Sequence, residues 1–196
     1  MEAPLNNPAL ILVDIQKGFD AISHWGSERN NPMAENNARI LLDLWRKNDL
    51  PIFHIKHCST EPNSPLVEGK PGNDFMEIVL PYEHETVIKK NVNSAFIGTD
   101  LQDQLDRRSI NTVVIIGLTT DQCVSTSARM ASNYGYKTYI IHDATATFDK
   151  TGVNGVHYDA ETIHQTALAS VNKEFAEVVS TAMISQTLQM HPKNEQ

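Results

Sequence analysis

Short apolar segments recur along this chain, and segments of helical periodicity lie between them. The apolar segments are nearly continuous rather than alternating, which is typical of parallel strands covered on both faces. Strands that alternate with helices predict a three-layer α/β/α sandwich around a six-stranded, mostly parallel, Rossmann-like sheet. The six predicted strands are 9–15, 51–57, 86–90, 112–117, 137–143 and 176–181.

Helical patterns fill most of the intervals between these strands. Ala34, Ala38, Leu41 and Trp45 form one apolar stripe, and residues 124–135 and 161–171 form two more. The segment Thr99-Asp-Leu-Gln102 has the spacing of a capping box and predicts a further helix. The segment 58–81 is long and contains four prolines, so we expect it to pass over the edge of the sheet where ligands bind.

Length and charge limit the classes of protein that the chain fits. Its 196 residues predict a single domain, 1–196, and its net charge of −8 argues against nucleic acid or an anionic membrane as a partner. It has two cysteines and no apolar run of about 18 residues, the length of a membrane span. The start, Met1-Glu-Ala-Pro, lacks the basic and apolar parts of a signal peptide, so we expect a cytoplasmic protein.

Cys123 occupies the most informative position in the sequence. It follows an apolar, β-branched strand, a glycine and a short polar turn, and small residues at helical spacing come after it. A thiol in the first turn of a helix has its pKa lowered by the helix dipole, and the carboxyl end of a parallel strand is a suitable place for a nucleophile. The alternative is that Cys123 is a small buried apolar residue.

Two charged residues end other predicted strands. Asp14 follows five apolar residues, where it either faces a ligand or caps a turn. Lys89 and Lys90 point to opposite sides of their strand, so at most one of them faces a given cleft, and the other reading is a solvated side chain. If Asp14, Lys90 and Cys123 meet in one crevice, the carboxylate beside an ammonium stays ionised and can take the thiol proton.

These residues lie in segments that resemble a known family. The segments are Val13-Asp14-Ile-Gln16 with Phe19, Lys90-Asn-Val-Asn-Ser94-Ala-Phe96, Gly117-Leu-Thr-Thr-Asp121-Gln-Cys123 and Asp143-Ala-Thr-Ala146. From about residue 9 to 179 the chain resembles the isochorismatase-like cysteine hydrolases, which include nicotinamidases, carbamoylsarcosine amidases and other amidases. The resemblance implies a six-stranded parallel sheet and assembly into a homodimer or homotetramer.

The resemblance also implies roles for individual residues. Asp14, Lys90 and Cys123 correspond to the family's catalytic triad. A cis peptide bond that family members carry four residues before the nucleophile maps to Leu118–Thr119. Its implied purpose is an oxyanion hole formed by the backbone N–H groups of Thr119 and Cys123.

The chain departs from the family where nicotinamidases bind a metal. The second strand ends in His54-Ile-Lys-His57-Cys58, without the Asp-x-His pattern of those enzymes. His54 and His57 are three residues apart on a strand, so they face opposite sides and cannot chelate one ion. We therefore expect no metal and no cofactor, and nicotinamidase is disfavoured.

Three functions fit this combination of residues. The intact Cys123 favours hydrolysis of a C–N bond in a small-molecule amide, through a thioester acyl-enzyme. One alternative is hydrolysis of a vinyl ether of the isochorismatase type, which needs a proton donor but no nucleophile. The other is a non-catalytic oligomeric scaffold that keeps the fold.

Several side chains in or beside these segments are candidates for substrate contact. Each of them could instead serve only in packing, or in a turn, because the conformations of the loops 19–32 and 58–81 cannot be derived from the sequence. The candidates are Gln16, Phe19, Trp25, His57, Phe96 and Tyr158.

Overall fold

A central sheet of six parallel strands organises the fold. The computed structural model describes residue 5 and residues 7–190, so the prediction from Met1-Glu-Ala-Pro lies outside the described residues. The sheet order β3-β2-β1-β4-β5-β8, with every pairing parallel, confirms the predicted sheet. Its strands are β1 Ala9–Val13, β2 Ile52–His57, β3 Thr86–Lys90, β4 Thr112–Leu118, β5 Lys137–Ala146 and β8 Glu177–Val179.

Helices cover both faces of the sheet, as the alternating pattern predicts. Apart from the four-residue helix Ile22–Trp25, two helices pack on one face and three on the other. Successive residues of β1 alternate between the two cores: Leu10 faces the first and Ile11 the second. Within the described residues, no helix has both the length and the apolar character needed to cross a membrane. The helices are α1 Ile22–Trp25, α2 Ala34–Lys47, α3 Leu101–Arg107, α4 Ser125–Asn133, α5 Ala160–Val171 and α6 Thr181–Met190.

Some elements differ from the sequence prediction. The sixth strand is shorter than predicted because α6 begins at Thr181, and β5 continues beyond residue 143 to Ala146. The predicted capping box does not form, since Asp100 is the N-cap of α3 and makes no side-chain cap, while the Thr99 hydroxyl donates to the carbonyl of Ala95. A small hairpin of β6 Lys150–Thr151 and β7 His157–Tyr158 precedes α5.

Gly117 allows the two central strands to approach each other at the point where the chain leaves the sheet. It pairs with Val13 across β1 and β4, and its φ is +117°. A Cβ atom built on Gly117 would lie 2.0 Å from the carbonyl oxygen of Val13. Any side chain here would therefore displace the backbone that leads into Asp14.

We predict that Gly117→Ala lowers the free energy of unfolding by more than about 3 kcal/mol, because the backbone of β1 has to move away from the new methyl group. The matched control is Gly135→Ala, where φ is +89° and no atom lies within 4 Å of the added Cβ. In that control only the unfavourable left-handed conformation contributes, so the free energy of unfolding should fall by about 1–2 kcal/mol. Urea denaturation measures both values, and equal losses would contradict the role given to Val13.

Candidate active site

The candidate site lies at the carboxyl ends of four neighbouring strands. Residues at or just beyond the ends of β1, β2, β3 and β4 line a cavity of about 390 Å³. From β1 the chain adds β2 and β3 on one side of the sheet, and it then crosses to the other side of β1 to add β4 and β5. The crevice at such a topological switch point is where open α/β sheets bind ligands. The lining residues are Asp14, Phe19, His24, Trp25, His57, Ser59, Glu61, Asn63, Ser64, Leu66, Asn93, Thr119, Gln122 and Cys123.

The ammonium group of Lys90 lies at the centre of the polar groups beneath this cavity. Its Nζ is 2.7 Å from Asp14 Oδ2 and 3.4 Å from Cys123 Sγ. It also lies 2.9 Å from His57 Nδ1 and 3.1 Å from the carbonyl oxygen of Val92. The structure thus brings Asp14, Lys90 and Cys123 together, and the neighbouring Lys89 points outward to an ion pair with Glu68.

Asp14 is completely buried at the end of β1. Its backbone is in the left-handed region, with φ of +52°, which aspartate tolerates better than most residues. One carboxylate oxygen, Oδ2, accepts from Lys90, while Oδ1 has no hydrogen-bond partner among the described residues. Oδ1 is therefore available to accept a proton.

Cys123 is buried in a wide π-type turn, Thr120–Val124, that joins β4 to α4. Burial raises the pKa of the Cys123 thiol, as does the Asp14 carboxylate, and Lys90 only partly opposes them. The lowered pKa expected from the helix start is thus wrong, because the sequence does not reveal how completely the thiol is withdrawn from water. The raised pKa favours the thiol form, so the sulfur needs a base to take its proton before it can act as a nucleophile.

His57 connects the ammonium to the cavity wall. Burial lowers the pKa of His57, and so does the nearby Lys90 charge, so the imidazole is neutral at pH 7. Because the ammonium can only donate, Nδ1 accepts its hydrogen bond and the ring proton lies on Nε2. His57 lines the cavity, as predicted, and offers an N–H donor rather than a base.

Gln16 does not line the cavity, which corrects its expected contact with substrate. Its side chain is fully buried and accepts from the backbone N–H of His57 while donating to the carbonyl oxygens of His57 and Asn73. Asn73 in turn donates to the carbonyl oxygens of His57 and Leu66. Gln16 is therefore a positioning residue that fixes the end of β2 and the loop beyond it.

Asp14, His57 and Cys123 offer ligand atoms that all lie within 4.8 Å of one another, a spacing at which a metal ion could be held. The ammonium of Lys90 already contacts all three groups, so a cation would have to displace it. His54 lies on the other side of β2, where its Nε2 is 2.8 Å from Glu85. This placement confirms that the two histidines face opposite sides of the strand.

Thr119 and Cys123 both line the cavity at the end of β4. The peptide bond between Leu118 and Thr119 is cis, as the family resemblance implies. Among the described residues, the buried Thr119 hydroxyl has no hydrogen-bond partner. The oxyanion hole that the resemblance implies, formed by the backbone N–H groups of Thr119 and Cys123, stays a prediction.

The remaining candidates for substrate contact divide into two groups. Phe19 and Trp25 line the cavity, where their rings stack with centroids 4.6 Å apart. Phe96 and Tyr158 do not line it: Phe96 is buried against Tyr136, and Tyr158 lies in the exposed hairpin. Sequence reasoning placed them near the site because their segments adjoin it, but their side chains point elsewhere.

Several lining residues were not predicted from the sequence. Gln122 and Asn93 belong to the segments that carry Cys123 and Lys90, so their position in those segments could have indicated them. The others come from loops whose conformations are not indicated by any local sequence pattern. These are His24, Ser59, Glu61, Asn63, Ser64 and Leu66.

The fold and the cavity define an α/β enzyme-like domain with a thiol, a carboxylate and an ammonium at its strand ends. A model of the isochorismatase domain matches residues 8–183, and the chain belongs to the isochorismatase family of hydrolases.

Individual members of the family resemble most of the chain. It is 47% identical over 173 residues to the uncharacterized isochorismatase family protein YrdC of Bacillus subtilis strain 168, covering 88% of this chain and 91% of that protein. The chain is 30% identical over 187 residues to maleamate amidohydrolase of Pseudomonas putida, and the match covers 88% of this chain and 83% of that protein. A crystal structure of an isochorismatase family protein from Chromobacterium violaceum ATCC 12472 matches with a TM-score of 0.91 at 40% identity. The match covers 97% of this chain and 100% of that one.

We predict that removal of the Lys90 charge makes the Cys123 thiol less reactive. The change Lys90→Ala is made in a background of Cys58→Ser and Asp14→Asn, so that neither a second thiol nor a change in carboxylate ionisation contributes. Loss of a positive charge 3.4 Å from the sulfur should raise the thiol pKa and slow alkylation by iodoacetamide at pH 8 by roughly tenfold.

The control in the same background is Lys89→Ala, which removes a lysine that faces away from the site. It should leave the alkylation rate unchanged. If Lys90→Ala also leaves the rate unchanged in a protein with a native circular dichroism spectrum, Lys90 does not support the thiolate.

Proposed function

We propose that this protein is a cysteine amidohydrolase that cleaves the C–N bond of a small amide through a thioester acyl-enzyme. The observation that carries the proposal is that one ammonium, Lys90, contacts both the Asp14 carboxylate and the Cys123 sulfur beneath a cavity. A nucleophile, a base and a charge that keeps the base ionised are the groups that acyl transfer requires. The name of a relative, maleamate amidohydrolase, agrees with hydrolysis of an amide.

In the first half of the reaction, Asp14 takes the proton of Cys123 as the sulfur attacks the amide carbon. This order follows from the raised thiol pKa, because little thiolate exists before attack. The C–S bond forms, and the negative charge on the carbonyl oxygen is stabilised by the backbone N–H groups of Thr119 and Cys123. Asp14 then returns the proton to the leaving nitrogen, the C–N bond breaks, and ammonia or an amine departs.

In the second half, water hydrolyses the thioester. Asp14 removes a proton from the water as its oxygen attacks the acyl carbon, and the same two N–H groups hold the oxyanion. The C–S bond breaks, the carboxylic acid leaves, and the proton passes from Asp14 to the sulfur. Lys90 places a positive charge 2.7 Å from the buried carboxylate, which favours its charged form between these transfers.

We predict that Cys123→Ala lowers amide hydrolysis by at least about 10⁴-fold, because the covalent step is lost. Release of ammonia across a library of small amides identifies a working substrate, and intact-protein mass spectrometry detects the acyl-enzyme in the wild type. Cys58→Ala is the matched control, since Cys58 does not line the cavity, and it should retain wild-type activity.

Full amide hydrolysis by a folded Cys123→Ala protein would exclude the thioester mechanism. Turnover of isochorismate that survives this change would favour the ether-hydrolase alternative. A wild-type Cys123 that is inert to thiol reagents and forms no acyl-enzyme would favour the scaffold.

We further predict that activity needs no divalent metal, because Lys90 contacts each of the three groups that could form a metal site. Prolonged dialysis against a chelator should leave the turnover rate unchanged, with the metal content measured by mass spectrometry. A loss of activity that zinc, iron or manganese restores would show that a cation does bind among these residues.

A further inference from the structure

The wall of the candidate active site has an uneven distribution of charge. Two carboxylates, Asp14 and Glu61, line the cavity, and neither lysine nor arginine is among the described residues that do. We infer that the substrate is a planar amide with a positive charge at the end remote from its reacting carbonyl, and that Glu61 recognises this charge. The inference rests on the proposed amidase function and specifies its substrate class.

The buried ammonium beneath the cavity is not available to bind a substrate anion. Lys90 has three N–H bonds, and four acceptors already surround its Nζ: Asp14 Oδ2, His57 Nδ1, Cys123 Sγ and the carbonyl of Val92. Its side chain is completely shielded from solvent, and its charge is neutralised by Asp14. A substrate carboxylate in the cavity would therefore be repelled by the Glu61 carboxylate, and no cation among the described residues of the cavity wall would offset this repulsion.

Glu61 is placed to receive a cation. Its side chain is exposed, and its carboxylate forms no ion pair within the described part of the chain. The surrounding backbone is ordered, because the N–H of Glu61 donates to Ser59 Oγ and its carbonyl accepts from the N–H of Ser64. Lys70, in the same loop, donates to the carbonyl oxygens of Pro62 and Ser64, so its ammonium holds the loop rather than the Glu61 carboxylate.

An aromatic wall adds a second feature that favours planar and cationic groups. Phe19 and Trp25 stack at an interplanar angle of 28°, and His24 meets Trp25 edge-on with centroids 4.6 Å apart. The indole Nε1 donates to the carbonyl of Gly18, which fixes the ring at the cavity. Aromatic faces bind planar groups by stacking and cations by their quadrupole.

The size of the cavity is consistent with a single-ring substrate. Its volume of about 390 Å³ lies near the lower end of the range for ligand pockets. Cys123 and Glu61 both line this cavity, so we expect a planar amide with its carbonyl at Cys123 to have its other end within reach of Glu61. The net charge of −8 would also attract a cationic substrate over longer distances.

The test uses three benzamides that differ only in the charge of the para group: 4-(aminomethyl)benzamide, 4-(hydroxymethyl)benzamide and 4-carbamoylbenzoate. Their binding to the Cys123→Ala protein is followed by fluorescence, because Trp25 lines the cavity and the other tryptophan, Trp45, is fully buried elsewhere. The aminomethyl compound should bind about tenfold more tightly than the hydroxymethyl compound, and the carboxylate about tenfold more weakly.

Substitution of Glu61 separates its role from that of the aromatic wall. Glu61→Gln should reduce the preference for the aminomethyl compound by about three- to tenfold while leaving the affinity of the hydroxymethyl compound unchanged. Glu68→Gln is the matched control, since Glu68 belongs to the same loop, pairs with Lys89 and does not line the cavity. It should leave all three affinities unchanged.

The outcomes distinguish this inference from the proposed function. The inference is overturned if 4-carbamoylbenzoate binds as tightly as the neutral compound, if Glu61→Gln leaves the preference intact, or if none of the three compounds binds. Binding in the predicted order by Cys123→Ala, with no ammonia released by the wild-type protein, would support the substrate charge and contradict the amidase. Both are supported if the wild type also hydrolyses the aminomethyl compound fastest.

Discussion

The buried ion pair between Lys90 and Asp14 is the interaction on which the rest of the site depends. Neither side chain has more than 1% of its surface exposed, so each charge would be costly without the other. The two residues end strands β3 and β1, which are separated by β2, and only the parallel order of the sheet brings them to the same edge. Cys123 contacts the same ammonium, so one charge links the thiol to the carboxylate.

This ion pair requires a backbone arrangement that other residues maintain. Gly117 gives β4 room beside Val13, and Asp14 then turns into the left-handed region to direct its carboxylate under the cavity. Gln16 and Asn73 hold the backbone of His57, and the imidazole Nδ1 of His57 accepts a hydrogen bond from Lys90. The acid, the ammonium and the thiol are therefore held by hydrogen bonds and close strand packing rather than by mobile loops.

Much of this arrangement could be predicted from the sequence, and the limits have physical causes. Strand periodicity predicts that Lys89 and Lys90 face opposite sides, and the parallel order predicts that the strand ends converge. Periodicity does not report burial by distant segments, so the raised pKa of Cys123 was missed. Phe96 was misplaced for a similar reason, because adjacency to Lys90 in sequence does not fix the direction of a ring that packs on Tyr136.

The loops around the cavity determine properties that the residues at the strand ends do not. Asp149 accepts hydrogen bonds from the N–H groups of Ser27 and Glu28, which holds the segment carrying Trp25 against the hairpin, and these bonds lower the pKa of Asp149 to about 2 despite its burial. Lys70 holds the loop that carries Glu61. Each loop is thus anchored by a charged side chain outside the cavity. A change in loop sequence can therefore alter the charge and shape presented to a ligand while Lys90, Asp14 and Cys123 stay in place.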